Sequence, residues 1–240
     1  YLGRMYTGAH IHDGLSESST PLAENVARLA RLPLYHPPGA AWEYGLSTDV
    51  LGRLVEVVSG VSLDSYFRER IFQPLQMNDT SFVLSPNQAP RLAALYRFDA
   101  PSRRIRRVGP APVQEGQIVY SSTYSSNPAN AYFSGGAGLV STVGDYARFL
   151  QMLLNGGELD GYRVLKAATV DRMTRNQIGP LRIAFPESGD GFGYGFGIVM
   201  GEDSTATYAP VGSYSWGGAF GTYFWVDPSN KLFGVLMIQL

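Results

Sequence analysis

The chain has 240 residues, of which 45% are hydrophobic and 16% charged, enough apolar content for a sizeable core in one large domain or two intimate ones. Its net charge of −1 argues against a nucleic-acid-binding surface, and the absence of cysteine excludes a disulfide framework, a thiol nucleophile and a cysteine-based metal site. The longest apolar stretches are broken by Gly or charge well short of a membrane-spanning length.

Taken in chain order, the first chemistry-bearing residues are His10, His12 and Asp13. Extended, they would place two imidazoles on one face, as a metal-hydrolase ligand set requires. Only His36, in a proline-rich turn, could add a further imidazole, so the segment reads as a polar loop; no metal and no cofactor are expected. A helix is predicted from Pro21 to Leu32, with Thr20 as N-cap, Pro21 at the first helical position and Leu22, Val26 and Leu29 at helical spacing; Pro33 ends it. The turn-rich run Pro37-Pro38-Gly39-Ala40-Ala41-Trp42-Glu43-Tyr44-Gly45-Leu46 then delivers a tyrosine to the start of another helix, Ser47 to Ser59. Leu46, Val50, Leu54 and Val58 lie four apart with Leu51 and Val55 beside them, a wide apolar face that predicts a buried helix closed by Gly60. Asp49, in its first turn, is favoured there by the helix dipole and is also placed to support Tyr44 indirectly.

Ser62 is expected to cap a helix through Phe72, ended by Pro74. Residues 81–130 read as short strands and loops, and the cluster Arg103, Arg104, Arg106 and Arg107 as a solvated hairpin arm. Thr142 and Asp145 form a capping-box pattern opening a helix to Asn155, with Gly156 and Gly157 after it; Ala167 to Gln177 follows as another helix. From Gly193 the pattern changes to strands, predicted over 194–200, 206–216, 220–226 and 231–240 with short connections, hence an antiparallel meander. Helices first and strands last predict an α+β fold, with 1–142 mainly helix and loop and 143–240 helices plus antiparallel strands of one domain.

The run Ser213-Tyr-Ser-Trp-Gly-Gly-Ala-Phe-Gly-Thr-Tyr-Phe-Trp-Val-Asp227 combines strand formers with Gly217 and Gly218, and glycine within such a run marks a bulge or a place where a ligand nears the main chain. Together with the Tyr44 block, with Ser134-Gly-Gly-Ala-Gly-Leu-Val-Ser-Thr142 and Gly144-Asp-Tyr-Ala-Arg-Phe149 behind it, and with Pro74-Leu-Gln-Met-Asn-Asp-Thr80, this run resembles the serine β-lactamase and penicillin-binding-protein superfamily, most of all its family VIII carboxylesterase branch. The resemblance implies a β-lactamase/transpeptidase-like fold, an antiparallel sheet flanked by helices with an associated helical region. It also implies a small-molecule acyl substrate.

The family's Ser-x-x-Lys nucleophile motif is not in this chain: three positions before Lys166 stands Arg163, and before Lys231, Pro228. The resemblance therefore implies a piece truncated at both ends, beginning after the nucleophile and inactive alone, with one wall of its cleft open and apolar side chains exposed. It implies Tyr44 as the catalytic base, which needs a neighbouring cation because a free phenol has a pKa near 10. Trp216-Gly217-Gly218 stands where relatives have Lys-Thr-Gly, so Trp216 replaces a charged anchor with an apolar wall and the Ala219 backbone N–H becomes an oxyanion donor. Leu46 stands where penicillin-recognising relatives carry Asn, and is assigned with Trp216, Gly217 and Gly218 to substrate binding. A β-lactamase or amide hydrolase, and a non-catalytic ligand-binding protein on the same fold, are the alternatives. A Ser-His-Asp hydrolase fits poorly, because no Gly-x-Ser-x-Gly occurs and all three histidines precede residue 37. Oligomeric state and compartment stay open, with a lean to the cytoplasm.

Overall fold

A computed structural model of the chain describes residues 3–116, 118–185, 189–201 and 209–240. Six α-helices are described: α1 (Gly3–Gly8), α2 (Leu22–Leu29), α3 (Ser47–Ser59), α4 (Leu63–Phe67), which runs on as a wider turn through Phe72, α5 (Val143–Leu154) and α6 (Ala167–Met173). The strands are β1 (Tyr96–Asp99), β2 (Arg104–Arg107), β3 (Val113–Glu115), β4 (Ile118–Tyr120), β5 (Glu158–Leu159), β6 (Tyr162–Arg163), β7 (Gly191–Phe192), β8 (Gly197–Ile198), β9 (Tyr214–Gly217), β10 (Tyr223–Asp227) and β11 (Leu232–Leu236). β7 to β11 form one antiparallel sheet in the order β11-β10-β9-β8-β7, so neighbours in sequence are neighbours in space, as short connections demand. The other six strands pair as the two-residue β5–β6 ladder and two hairpins, one of which, β1–β2, carries the arginine cluster.

Several elements start where their caps require. Thr142 accepts the Asp145 N–H at 3.1 Å and opens α5, and Ser62 accepts the Ser65 N–H at 3.3 Å and opens α4. Gly60 closes α3 in the left-handed conformation, φ 77°, which a residue with a Cβ reaches only with strain. α2 differs from expectation: its cap is the extended Pro21, not Thr20, and it stops at Leu29 because Ala30 already belongs to a tighter final turn. α6 likewise stops at Met173, four residues short of expectation. The strand expected over 206–216 begins at Tyr214, and residues 206–208 lie outside the described residues.

The main core joins α5 to the sheet: Leu150, Met152 and Leu153 pack with Phe196, Ile198, Tyr214, Phe224 and Val226. A second cluster, Leu22, Leu63, Phe82 and Tyr132, ties α2 and α4 to the loop before α5. α3 corrects the sequence reading. Only Asp49 and Gly52 are buried on it, whereas Val50, Leu51, Leu54, Val57 and Val58 are 44% to 79% exposed. Leu22 and Leu63, from α2 and α4, reach it on the Gly52 side, where a Cβ would lie 2.8 Å from Leu63, and of the helix's apolar residues Val55 packs there with them while the five exposed ones do not.

Candidate active site

Tyr44 and the β9 end, 172 residues apart in sequence, meet in one aromatic group. The rings of Tyr44 and Trp216 stack at 6.4 Å between centroids with 20° between planes. Phe185 stands edge-on to both, at 5.2 Å and 5.5 Å. Trp42 and Phe192 complete the group, Trp42 lying 5.3 Å from Phe192 and Phe192 5.1 Å from Trp216. Edge-to-face and offset pairs at these distances are the arrangements that ring quadrupoles favour. Trp42, Phe185 and Phe192 escaped the sequence reading. Trp42 sits two residues before Tyr44, and the two rings lie 6.2 Å apart between centroids.

β9 is fixed by its register on β10, with Trp216 opposite Phe224 and Gly217 opposite Tyr223. The turn between them is held by Gly218 N–H to Thr222 C=O (2.8 Å) and Gly221 N–H to Gly218 C=O (3.1 Å). A Cβ on Gly218 would meet the Thr222 hydroxyl at 2.2 Å, so this glycine answers to the packing of its own turn. Gly217, Gly218 and Ala219 are exposed, and the Ala219 N–H has no hydrogen-bond partner among the described residues. Leu46 is 6% exposed, and its backbone caps α3.

On the other wall, Tyr44 is 38% exposed. Burial first, and then the charge of Asp49, push its hydroxyl above the ordinary tyrosine range. Asp49 is fully buried. Its Oδ1 accepts the Tyr132 hydroxyl at 2.7 Å, and Tyr132 in turn accepts from the Asn25 side chain at 2.7 Å. Burial also raises the Asp49 pKa, opposed by the Ser134 and Tyr132 hydroxyls and the Gly135 N–H. Gly135 and Gly136 let the loop before α5 lie directly on α3: a Cβ on Gly135 would sit 2.0 Å from the Thr48 carbonyl oxygen. The Ser134 block of the sequence is thus the surface against which the Tyr44 helix rests. The His10 to Asp13 segment forms a loop, with the His12 N–H donated to Asn25 at 2.8 Å. Among the described residues no three His, Asp or Glu side chains gather as metal ligands, and no helix is long and apolar enough to cross a membrane.

The arrangement is that of a β-lactamase-type fold, an antiparallel sheet whose strand end faces a tyrosine-bearing helix start. Residues 5–240 match the family model described as Beta-lactamase, and the chain belongs to that family. It is 32% identical to Esterase EstB of Burkholderia gladioli over 98% of this chain and 59% of EstB. It is 35% identical to an uncharacterised protein of Mycobacterium tuberculosis over 89% of this chain and 52% of that one. Among solved structures, EstCE1, a hydrolase with promiscuous acyltransferase activity, superposes with a TM-score of 0.82 at 28% identity, covering 96% of this chain and 59% of EstCE1. The chain therefore spans little more than half the length of these relatives.

Proposed function

We propose that the protein carrying this chain is a serine hydrolase, an esterase that cleaves short, neutral acyl esters through a Ser-Lys-Tyr acyl-enzyme mechanism whose nucleophile lies outside the 240 residues. In this reading residues 1–240 are part of a single catalytic domain, Tyr44 takes the nucleophile's proton, and the exposed Ala219 N–H donates to the developing oxyanion. The observation that carries it is the meeting of Tyr44 with Trp216 next to the exposed Ala219, whose N–H has no hydrogen-bond partner among the described residues. The raised Tyr44 pKa fits the same scheme: both influences on it favour the phenol, so it becomes a base only when a cation joins it.

The wall of Trp42, Tyr44, Phe185, Phe192 and Trp216 bears no charged side chain. A carboxylate-bearing lactam gains no charge-assisted hydrogen bond from it, a contact worth about 1.5–3 kcal/mol or one to two decades in rate, whereas a neutral ester loses nothing. That relatives include proteins named esterase supports this over the β-lactamase alternative.

The test is kinetic, on the protein as its gene encodes it, with p-nitrophenyl acetate, p-nitrophenyl butyrate and nitrocefin. Both esters are expected to give the higher kcat/KM, and a higher value for nitrocefin overturns the assignment. Tyr44→Phe is expected to lower ester kcat by about 10²–10⁴ with an unchanged circular dichroism spectrum. A variant within a few-fold of wild type removes Tyr44 from the mechanism.

A further inference from the structure

The most anomalous polar group in the described chain is Asp49. It has no exposed surface, and its Oδ2 makes no well-formed hydrogen bond among the described residues, although the Ser134 hydroxyl and the Gly135 N–H face the carboxylate. A buried carboxylate with one oxygen unsatisfied costs stability, and such a group in a native structure asks for an explanation. Asn at this position would still accept from Tyr132 and would carry no charge, so stability alone does not account for the acid.

What surrounds it is built with care. Asn25 on α2 is itself fully buried, donates to the Tyr132 hydroxyl (2.7 Å) and the His12 carbonyl (3.0 Å), and accepts the His12 N–H. Tyr132, 2% exposed, passes its own proton to Asp49 Oδ1 at 2.7 Å. The two bonds from Asn25 to Tyr132 and from Tyr132 to Asp49 point the same way and end on Asp49 as acceptor. On the side of Oδ2 stands glycine: a Cβ on Gly136 would lie 3.3 Å from it. Asp49 belongs to the first turn of α3, its N–H on the Leu46 carbonyl at 3.1 Å, two residues past Tyr44.

We propose that Asp49 is a positioning residue for Tyr44: a buried carboxylate, clamped by Tyr132 and Asn25, that anchors the start of α3 and sets the electrostatics around the hydroxyl five residues before it. The inference rests on Tyr44 being the base of the proposed reaction. From the loop before α5, the Tyr132 and Ser134 hydroxyls and the Gly135 N–H face Asp49; from α1, Tyr6 feels its charge. After burial, its charge is what pushes the Tyr44 hydroxyl above the ordinary tyrosine range. A negative charge beside a phenol holds the proton on, so Asp49 keeps Tyr44 a phenol until a cation offsets it.

The experiment compares wild type with Asp49→Asn in the whole protein labelled with ¹³C on the tyrosine rings, the Tyr44 resonance being assigned by its loss in Tyr44→Phe. The Tyr44 titration midpoint is expected to fall by about half a pH unit or more when the charge is removed. Because Tyr44 acts as a base, the ascending limb of kcat/KM for p-nitrophenyl butyrate, along which activity grows as the phenol loses its proton, is expected to move to lower pH with it. Asp49→Thr, which also lacks the charge, is expected to shift the midpoint the same way, so a failure of either variant to fold leaves the other to decide. An unchanged midpoint overturns the inference, including the case where activity falls but nothing titrates differently, which is what a merely structural acid would give. A shifted midpoint in a protein that hydrolyses no ester removes the proposed function and keeps the link between Asp49 and Tyr44.

Discussion

The two walls of the cleft are made in opposite ways. The strand wall, β9 on β10 and backed by α5, is an apolar structure in which Leu150, Met152 and Val226 have no exposed surface and Trp216 is one ring of an aromatic group. The helix wall, the start of α3, buries a carboxylate and exposes five aliphatic side chains. The difference separates two jobs. The first wall stores the stability of the chain and presents main chain to the cleft, whereas the second holds the titratable groups at a cost that the first must offset.

The sharpest way to break that division is to remove volume from each wall. Leu150→Ala on α5 deletes a fully buried side chain among close-packed neighbours and is expected to cost about 2–5 kcal/mol in urea unfolding. Val58→Ala, at 79% exposure on α3, is expected to stay within about 0.5 kcal/mol. Equal losses at the two positions would mean that α3's outer face is covered in the protein as its gene encodes it, and the contrast between the walls would then concern only what they bury, not what they expose. Next in size is the seam between α3 and the loop before α5. Gly135→Ala drives a Cβ to 2.0 Å from the Thr48 backbone oxygen, which no rotamer can relieve, so a loss of about 1–3 kcal/mol is expected together with reduced ester turnover. A Gly135→Ala protein as stable and as active as wild type would show that the Ser134 block does not support the Tyr44 helix.

How much of this was legible beforehand follows from the range of the forces involved. Caps and glycine stops are local, and Thr142, Ser62 and Gly60 mark α5, α4 and α3 where the sequence places them. The antiparallel meander was readable from its short connections. The apolar period of α3 also predicted a buried helix, but periodicity reports a face and not what lies against it, and among the described residues Val50, Leu51, Leu54, Val57 and Val58 stay exposed. At the site, Tyr44 and Trp216 were found by motif, and the structure stacks them. Leu46 was assigned by its offset from Tyr44, and it lies buried at the N-cap of α3. Phe185 and Phe192 carry no local signal, since their role depends on ring contacts with residues more than 20 positions away. Asp49 was read as a dipole-favoured first-turn acid because its partner Tyr132 lies 83 residues on.

The gentlest test of the comparison is a slope in stability against pH. Burial raises the Asp49 pKa, so in the window between its unfolded value near 3.9 and its higher folded value the native state binds more protons than the unfolded one. Stability from this group is then greatest at the acid end of the window and declines as pH rises through it, by at most about 1.4 kcal/mol per pH unit for one proton. The surface carboxylate Asp79, whose pKa is lowered chiefly by its hydrogen bonds from Arg91 and Gln88, acts in the opposite sense and loses its contribution as pH falls. Subtracting the urea unfolding profile of Asp49→Asn from that of wild type between pH 4 and pH 8 isolates the buried acid from that background. A difference that declines with rising pH places the cost on the helix wall. A flat difference would mean that Asp49 keeps an ordinary carboxylate pKa, and the division of labour between the walls would lose its electrostatic half.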